Sequence, residues 1–223
     1  FRAMAQDRTR LIAATVEGLL QRTLPPGALA AHVVEVDAAG SYDPDQLADR
    51  LAALGYTRCQ QVEGVGQFAL RGGILDVFSP GMDDPVRIEF WDRDVDSMGS
   101  FDVSSQRRAG RLERAVFLPV SELLPVRDEN GNWVRLGDPQ LPARYDTLAT
   151  AAHHLPPEAV VCLSESSRVA ERGKNWLWQL NEDVKTLLEN GALDGRHAVF
   201  AAGMDELMAV LSDHALCFLD SFT

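Results

Sequence analysis

Cysteine is scarce in this chain. Cys59, Cys162 and Cys217 are the only three in 223 residues, they lie far apart, and no CxxC occurs. That odd number at those spacings argues against a zinc knuckle or a disulfide frame and reads as reduced thiols in a cytosol. Long apolar runs are missing too: nothing approaches the ~20 residues that a membrane helix needs. The opening FRAMAQDRTR lacks the basic-then-apolar layout of a signal peptide. A cytoplasmic location without membrane contact is the expectation. The chain also lacks Met at position 1 and stops just after an apolar run, as expected of a piece excised from something longer.

Positive charge is in short supply. Lys and Arg total 21 against 33 Asp and Glu, a formal net charge of −12. DNA affinity rests largely on cationic side chains, so the bulk field opposes a broad phosphate-binding surface. Signatures of catalysis are absent as well. There is no GxxxxGK(S/T) to cradle a nucleotide and no GxSxG around any serine. Gly64-Val65-Gly66 leads into a strand pattern rather than a helix, so it predicts a bulge or hairpin, not a phosphate loop. Glu165 follows a buried-strand pattern where an ATPase carries an Asp-Glu pair, but Ser164 stands at the metal-anchoring position. The neighbours His153 and His154 do not match helical metal-ligand spacing. Asp92, Asp94 and Asp96 alternate and offer oxygen ligands for Mg²⁺, yet a solvated acidic strand face is the plainer reading. The sequence therefore predicts no catalytic residues, no cofactor and no metal.

What the chain does have is an ordinary globular composition, 46% hydrophobic and 24% charged, with length for one large or two modest domains. Its strongest pattern runs from Arg71 to Asp102. Ile74, Asp76 and Phe78 alternate with Leu75 and Val77; after the turn SPGMDDP, Val86, Ile88 and Phe90 alternate with Arg87, Glu89 and Trp91. Side chains two apart on a strand share a face. With the apolar trio in the core, Arg87, Glu89 and Trp91 form an outward row. If Phe68 and Leu70 are buried, Arg71 falls on the exposed parity of its own strand and, in hairpin order, joins that row. Two arginines and an aromatic on a sheet face form a docking-site signature. The plainer alternative pairs the arginines with Asp92, Asp94 or Glu89.

Around this stretch the elements read as follows. Leu11–Thr15 and His32–Val36 predict short strands, with a helix between them that Pro25-Pro26 stops. Asp43 caps a helix with Pro44 at its first position and Gln46 at its third, Leu47, Leu51 and Leu54 along one side, and Gly55 at its end. Strands follow at about 57–62, 67–70, 74–78, 86–91 and 95–101, then a further strand and a short helical turn within RLERAVFLPVSELLP. Residues 43–125 thus predict an α+β domain, one helix on a mainly antiparallel sheet. RDENGNWVRLGDPQLP predicts an exposed hairpin or loop. Beyond it, a helix near 143–153, a strand at 159–163, a long helix at 166–189, a helix near 204–213 and the strand ALCFL suggest α/β architecture. The apolar stripe Trp176, Leu180, Val184, Leu187 and Leu188 on the long helix predicts core packing, with Trp178 off it.

The skeleton GY-R, G-F-RGGILDVF-P, P-RIEF, D-x-D-S and FD-x-x-S-QR strongly resembles the UvrB-homology region of bacterial transcription-repair coupling factors (Mfd) and, more distantly, UvrB itself. The likeness is dense over about 43–125 and thinner on both flanks. The resemblance implies an α/β piece of domain 1a type at 1–40, an α+β domain 2 type at 41–125, and a domain 1b-type α/β piece at 126–223. It implies a non-catalytic module that recruits the damage-recognition ATPase UvrA. RNA polymerase and DNA would be engaged only by domains outside this chain. The family's UvrA-contacting positions fall on Arg71, Arg87 and Trp91, with Glu89 placed to orient Arg87 or to meet a basic residue of the partner. Trp91 departs from the usual Phe, which keeps the aromatic but alters pocket fit, and Arg93 stands in a stretch usually more acidic. Two alternatives follow: an intramolecular clamp in which the same face is masked by other domains of the full-length factor, and a Mg²⁺-dependent nuclease or ATPase domain using the Asp92, Asp94 and Asp96 row.

Overall fold

The computed structural model describes residues 11–28, 30–135 and 145–221. The chain divides into two units, one from residues 1–26 with 139–223, the other from residues 27–138. The first unit begins with α1 (Val16–Leu20), where Thr15 Oγ1 accepts a hydrogen bond from the Gly18 amide, and β1 (Arg22–Thr23). Leu11–Thr15 is not the expected strand. It runs without regular structure, Leu11 and Ile12 are exposed, and Thr15 is used as a helix cap instead of a ladder residue.

The second unit carries β2 (Val34–Asp37), α2 (Pro44–Ala53), β3 (Thr57–Arg58), β4 (Gln67–Arg71), β5 (Ile74–Phe78), β6 (Val86–Trp91), β7 (Asp94–Phe101), β8 (Arg108–Arg111), β9 (Arg114–Phe117), β10 (Val126–Arg127) and β11 (Trp133–Val134). Strands β3 to β8 lie side by side in sequence order in one six-stranded sheet. In this sheet β3 and β4 pair in parallel and the later neighbours are antiparallel, joined by two-residue turns at 72–73 and 92–93 and by longer loops at 79–85 and 102–107. Gly72 and Gly73 both have positive φ, so the RGG sequence is the end of β4 followed by a turn that only small residues enter easily.

Asp43 caps α2 by accepting from the amides of Asp45 and Gln46, and Gly55 at φ +89° ends it. Leu47 and Leu51 of α2 pack with Phe68, Leu75, Val77, Val86, Ile88 and Met98, the apolar parity of the sheet. The β2–β9 ribbon adds Val34, Val36, Ala115 and Phe117 to this core. One face of the sheet is therefore covered. The opposite face has a smaller cluster of Val62, Ala69 and Phe101, with Cys59 and Phe78 against it, and carries Ile74 and Trp91 among charged side chains.

One expected element is shorter here and another does not form. The strand expected at 57–62 stops at Arg58, and the following loop is tied by the amides of Glu63 and Gly64 donating to Gln67 Oε1. No helical turn forms at 118–125: Pro119 and Pro125 disfavour helical geometry before them, and the Val120 amide donates to the Leu54 carbonyl instead. The hairpin expected after Pro125 is present as β10–β11, while residues 136–144 lie outside the described set.

In the first unit the chain resumes with β12 (Ala149–Thr150), β13 (Val160–Ser164), α3 (Ser166–Glu189), α4 (Met204–Ser212) and β14 (Ala215–Leu219). β1 pairs with β12, and β13 runs parallel to β14, an α/β pattern. A helix at 143–153 is not what forms over the described part. Thr150 is extended, the chain makes a single 3-10 turn at Ala151–His154 in which His153 Nδ1 accepts from the Thr150 amide, and Pro156-Pro157 follow. Of the stripe expected to pack in the core, Trp176 does so, while Leu180 and Val184 are half-buried outside that cluster. Val169, Trp176 and Leu177 pack with Val16, Leu20, Leu207 and Leu211, whereas Leu187 and Leu188 are exposed. Among the described residues no helix is long and apolar enough to cross a membrane.

Candidate functional site: the arginine face of the sheet

Register places the candidate residues on the less covered face. Ala69 lies opposite Asp76 and Asp76 opposite Arg87; one step along, Arg71 lies opposite Ile74 and Ile74 opposite Glu89. Cross-strand partners share a face, so Arg71, Asp76, Arg87 and Glu89 all project from the same side, and Trp91 continues the parity of Glu89. Trp91 is 80% exposed. The bulge between Glu89 and Phe90 in the β6–β7 pairing places the extra residue, Asp96, on β7, and leaves the alternation of β6 intact.

Arg71 and Arg87 are not on neighbouring strands. β5 runs between them, and Asp76 supplies the contact that joins them. Its carboxylate is 1% exposed. Arg87 donates from Nε to Asp76 Oδ1 at 2.7 Å and from Nη2 to Oδ2 at 2.8 Å, a two-handed pair. Arg71 Nη2 reaches the same Oδ2 at 3.3 Å. Arg87 is held further by the Gln106 side chain at 3.1 Å and backbone carbonyl at 3.4 Å, and its guanidinium stacks 4.5 Å over the Phe101 ring. The hydrogen bonds that Arg87 donates to Asp76 keep the guanidinium charged above its ordinary range; partial burial opposes this, and the charges of Asp76 and Glu89 add to it.

The sequence-level alternatives for the arginines, pairing with Asp92, Asp94 or Glu89, are replaced by pairing with Asp76. Glu89 does not orient Arg87 by contact. It accepts from Ser97 Oγ at 2.5 Å and lies 3.7 Å from Arg108 Nη2. Arg93 bonds Asp43 at 2.6 Å, across to the start of α2. Asp92 sits in the β6–β7 turn at φ 56°, off the strand that would align it with Asp94 and Asp96. Among the described residues no group of three His, Cys, Asp or Glu is placed to hold a metal.

Asp76, Phe101 and Gln106 complete the cluster and were not singled out by spacing. The available signal was a carboxylate in the middle of an otherwise apolar strand, ILDVF, which demands a cationic partner when buried. The face holding this cluster is open, not a cavity. Clefts of about 300 and 600 Å³ lie elsewhere in the unit, one lined by Tyr42, Gln46 and Arg93 and the other by Asp49, Tyr56 and Trp133.

The fold and site thus define a small α+β module with one sheet face closed by a helix and the other presenting an arginine–carboxylate cluster beside an exposed indole. Residues 34–123 match the family model of the UvrB interaction domain. The chain is also similar to transcription-repair-coupling factors. Identity is 39% over 110 residues to that of Myxococcus xanthus, covering 49% of this chain and 9% of that protein. It is 34% over 130 residues to that of Bacillus subtilis (strain 168), covering 58% and 11%, and 33% over 122 residues to that of Staphylococcus aureus (strain MRSA252), covering 55% and 10%. The matched region spans about a tenth of the length of these relatives.

Proposed function

We propose that this chain is the UvrA-recruiting part of a transcription-repair coupling factor, acting as a non-catalytic docking module in the cytoplasm. The observation that carries the proposal is the joint presentation of Arg71, Arg87 and Trp91 on one open sheet face, with Trp91 80% exposed. The match of residues 34–123 to the UvrB interaction domain model and the similarity to coupling factors support this partner class. In this reading residues 1–40 and 126–223 are the flanking pieces of domain 1a and 1b type. RNA polymerase and DNA are handled by other parts of the full-length factor.

The mechanism is recognition. Trp91 supplies apolar area that becomes buried on docking, and its ring gives a flat anchor with little side-chain entropy to lose. The arginine fork supplies charge-assisted hydrogen bonds to carboxylates of the partner. Glu89, tied to Ser97 and near Arg108, stands to meet a basic residue at the rim. Pull-down of purified UvrA by the wild-type chain, and its loss with Trp91→Ala, tests the proposal; equal retention by both would overturn it.

A further inference from the structure

Resting on the docking reading above, we propose that Asp76 is the positioning residue of this face: it fixes Arg87 as a brace and leaves Arg71 as the hand that reaches the partner. Arg87 has five N–H donors. Nε and one on Nη2 go to the two oxygens of Asp76, another on Nη2 goes to Gln106 Oε1, and one on Nη1 goes to the Gln106 carbonyl. With its other side stacked on Phe101 and its side chain 20% exposed, Arg87 has little left to offer. Arg71 is 52% exposed and its bond to Asp76 is a single one at 3.3 Å. A partner carboxylate approaching the face therefore meets Arg71 first.

The order of strands makes this arrangement depend on one side chain. Because β5 separates β4 from β6, the Asp76 carboxylate, opposite Arg87, is also within reach of Arg71. Without its negative charge two guanidiniums would share a face and repel each other, and Arg71 would swing away into water. The charge balance matters too. Two guanidiniums and one carboxylate leave a single net positive charge, so the matching surface needs one carboxylate at this point, placed against Arg71.

The test is a double-variant cycle with the whole chain and purified UvrA, using Asp76→Asn, which keeps the shape and removes the charge. Asp76→Asn is expected to weaken binding about tenfold in the wild-type background and less than about twofold in Arg71→Ala. Equal losses in both backgrounds would show that Asp76 serves only the fold, and would overturn the proposal. If the wild-type chain does not bind UvrA at all, the docking reading fails, and positioning is decided separately by nitrogen-15 NMR of the arginine side chains. Slow exchange of the Arg87 Nε proton in the wild type and fast exchange in Asp76→Asn supports it; slow exchange in both overturns it.

Discussion

Asp76 grips Arg87 with both carboxylate oxygens, at 2.7 and 2.8 Å, from a position 1% exposed to solvent. Removing one partner of such a pair leaves the other charge stranded in the protein. Arg87→Ala is therefore expected to destabilise the fold by roughly 2–4 kcal/mol. Arg71→Ala, at a half-exposed side chain, is expected to cost about 0–1 kcal/mol. Urea unfolding of the two variants checks this, and equal small losses would refute the brace assignment. The practical consequence is that weakened binding by Arg87→Ala reports loss of structure, whereas Arg71→Ala isolates the contact.

Gly99 lies opposite Arg87 on β7 and has no room for a side chain. A Cβ there would sit 2.1 Å from the Gly110 carbonyl oxygen of β8 and 3.3 Å from Arg108 Nε. Because the nearest obstacle is backbone, β8 would have to move. Gly99→Ala is expected to lower stability by about 1–3 kcal/mol and to disturb the β7–β8 end of the face. Thermal unfolding and the amide spectrum of residues 99–111 report it. An unchanged melting temperature would contradict the packing described.

Asp43 gives a pH prediction. Its carboxyl is held below the ordinary aspartate range, first by the Arg93 hydrogen bond and then by the Gln46 amide at the start of α2. A folded-state value below the unfolded one means that this contribution is present above about pH 4 and is lost as pH falls through the folded value. Arg93→Ala should raise the Asp43 value toward normal, moving the acid loss of its contribution to higher pH and making it smaller. Carbon-13 NMR titration of the Asp43 carboxyl measures it; an unmoved titration midpoint would remove Arg93 as the cause.

Much of the sheet could be read from alternation, because burial on one face forces a period of two from Phe68 to Ile88. The helix at 44–53 was equally legible from Asp43, Pro44 and Gly55. The elements that were misread are those where a local pattern lacks a partner. Leu11–Thr15 is apolar enough for a strand but meets no ladder among the described residues, and Thr15 turns to capping instead. At 149–154 a threonine in extended geometry and two following prolines outweigh a run of helix-forming alanines.

At the candidate site, parity identified which side chains share a face, but not what holds them. Arg71 and Arg87 were visible; that Asp76 stands between them depends on β5 lying between β4 and β6, a non-local fact. The roles of Phe101 and Gln106 depend on the turn after β7, where Gln106 adopts φ 59° and directs its side chain to Arg87. Spacing alone carries no sign of that.

Trp91 offers the cleanest test of docking, since its indole contributes little to the fold and is available to a partner. The deciding measurement is a titration of purified UvrA with the wild-type chain, Trp91→Ala and the Arg71→Ala/Trp91→Ala double variant. Saturable binding by the wild type, weakened about thirtyfold by Trp91→Ala and further in the double variant at unchanged melting temperature, is the predicted result. Undiminished binding by the double variant would contradict the assignment of this face.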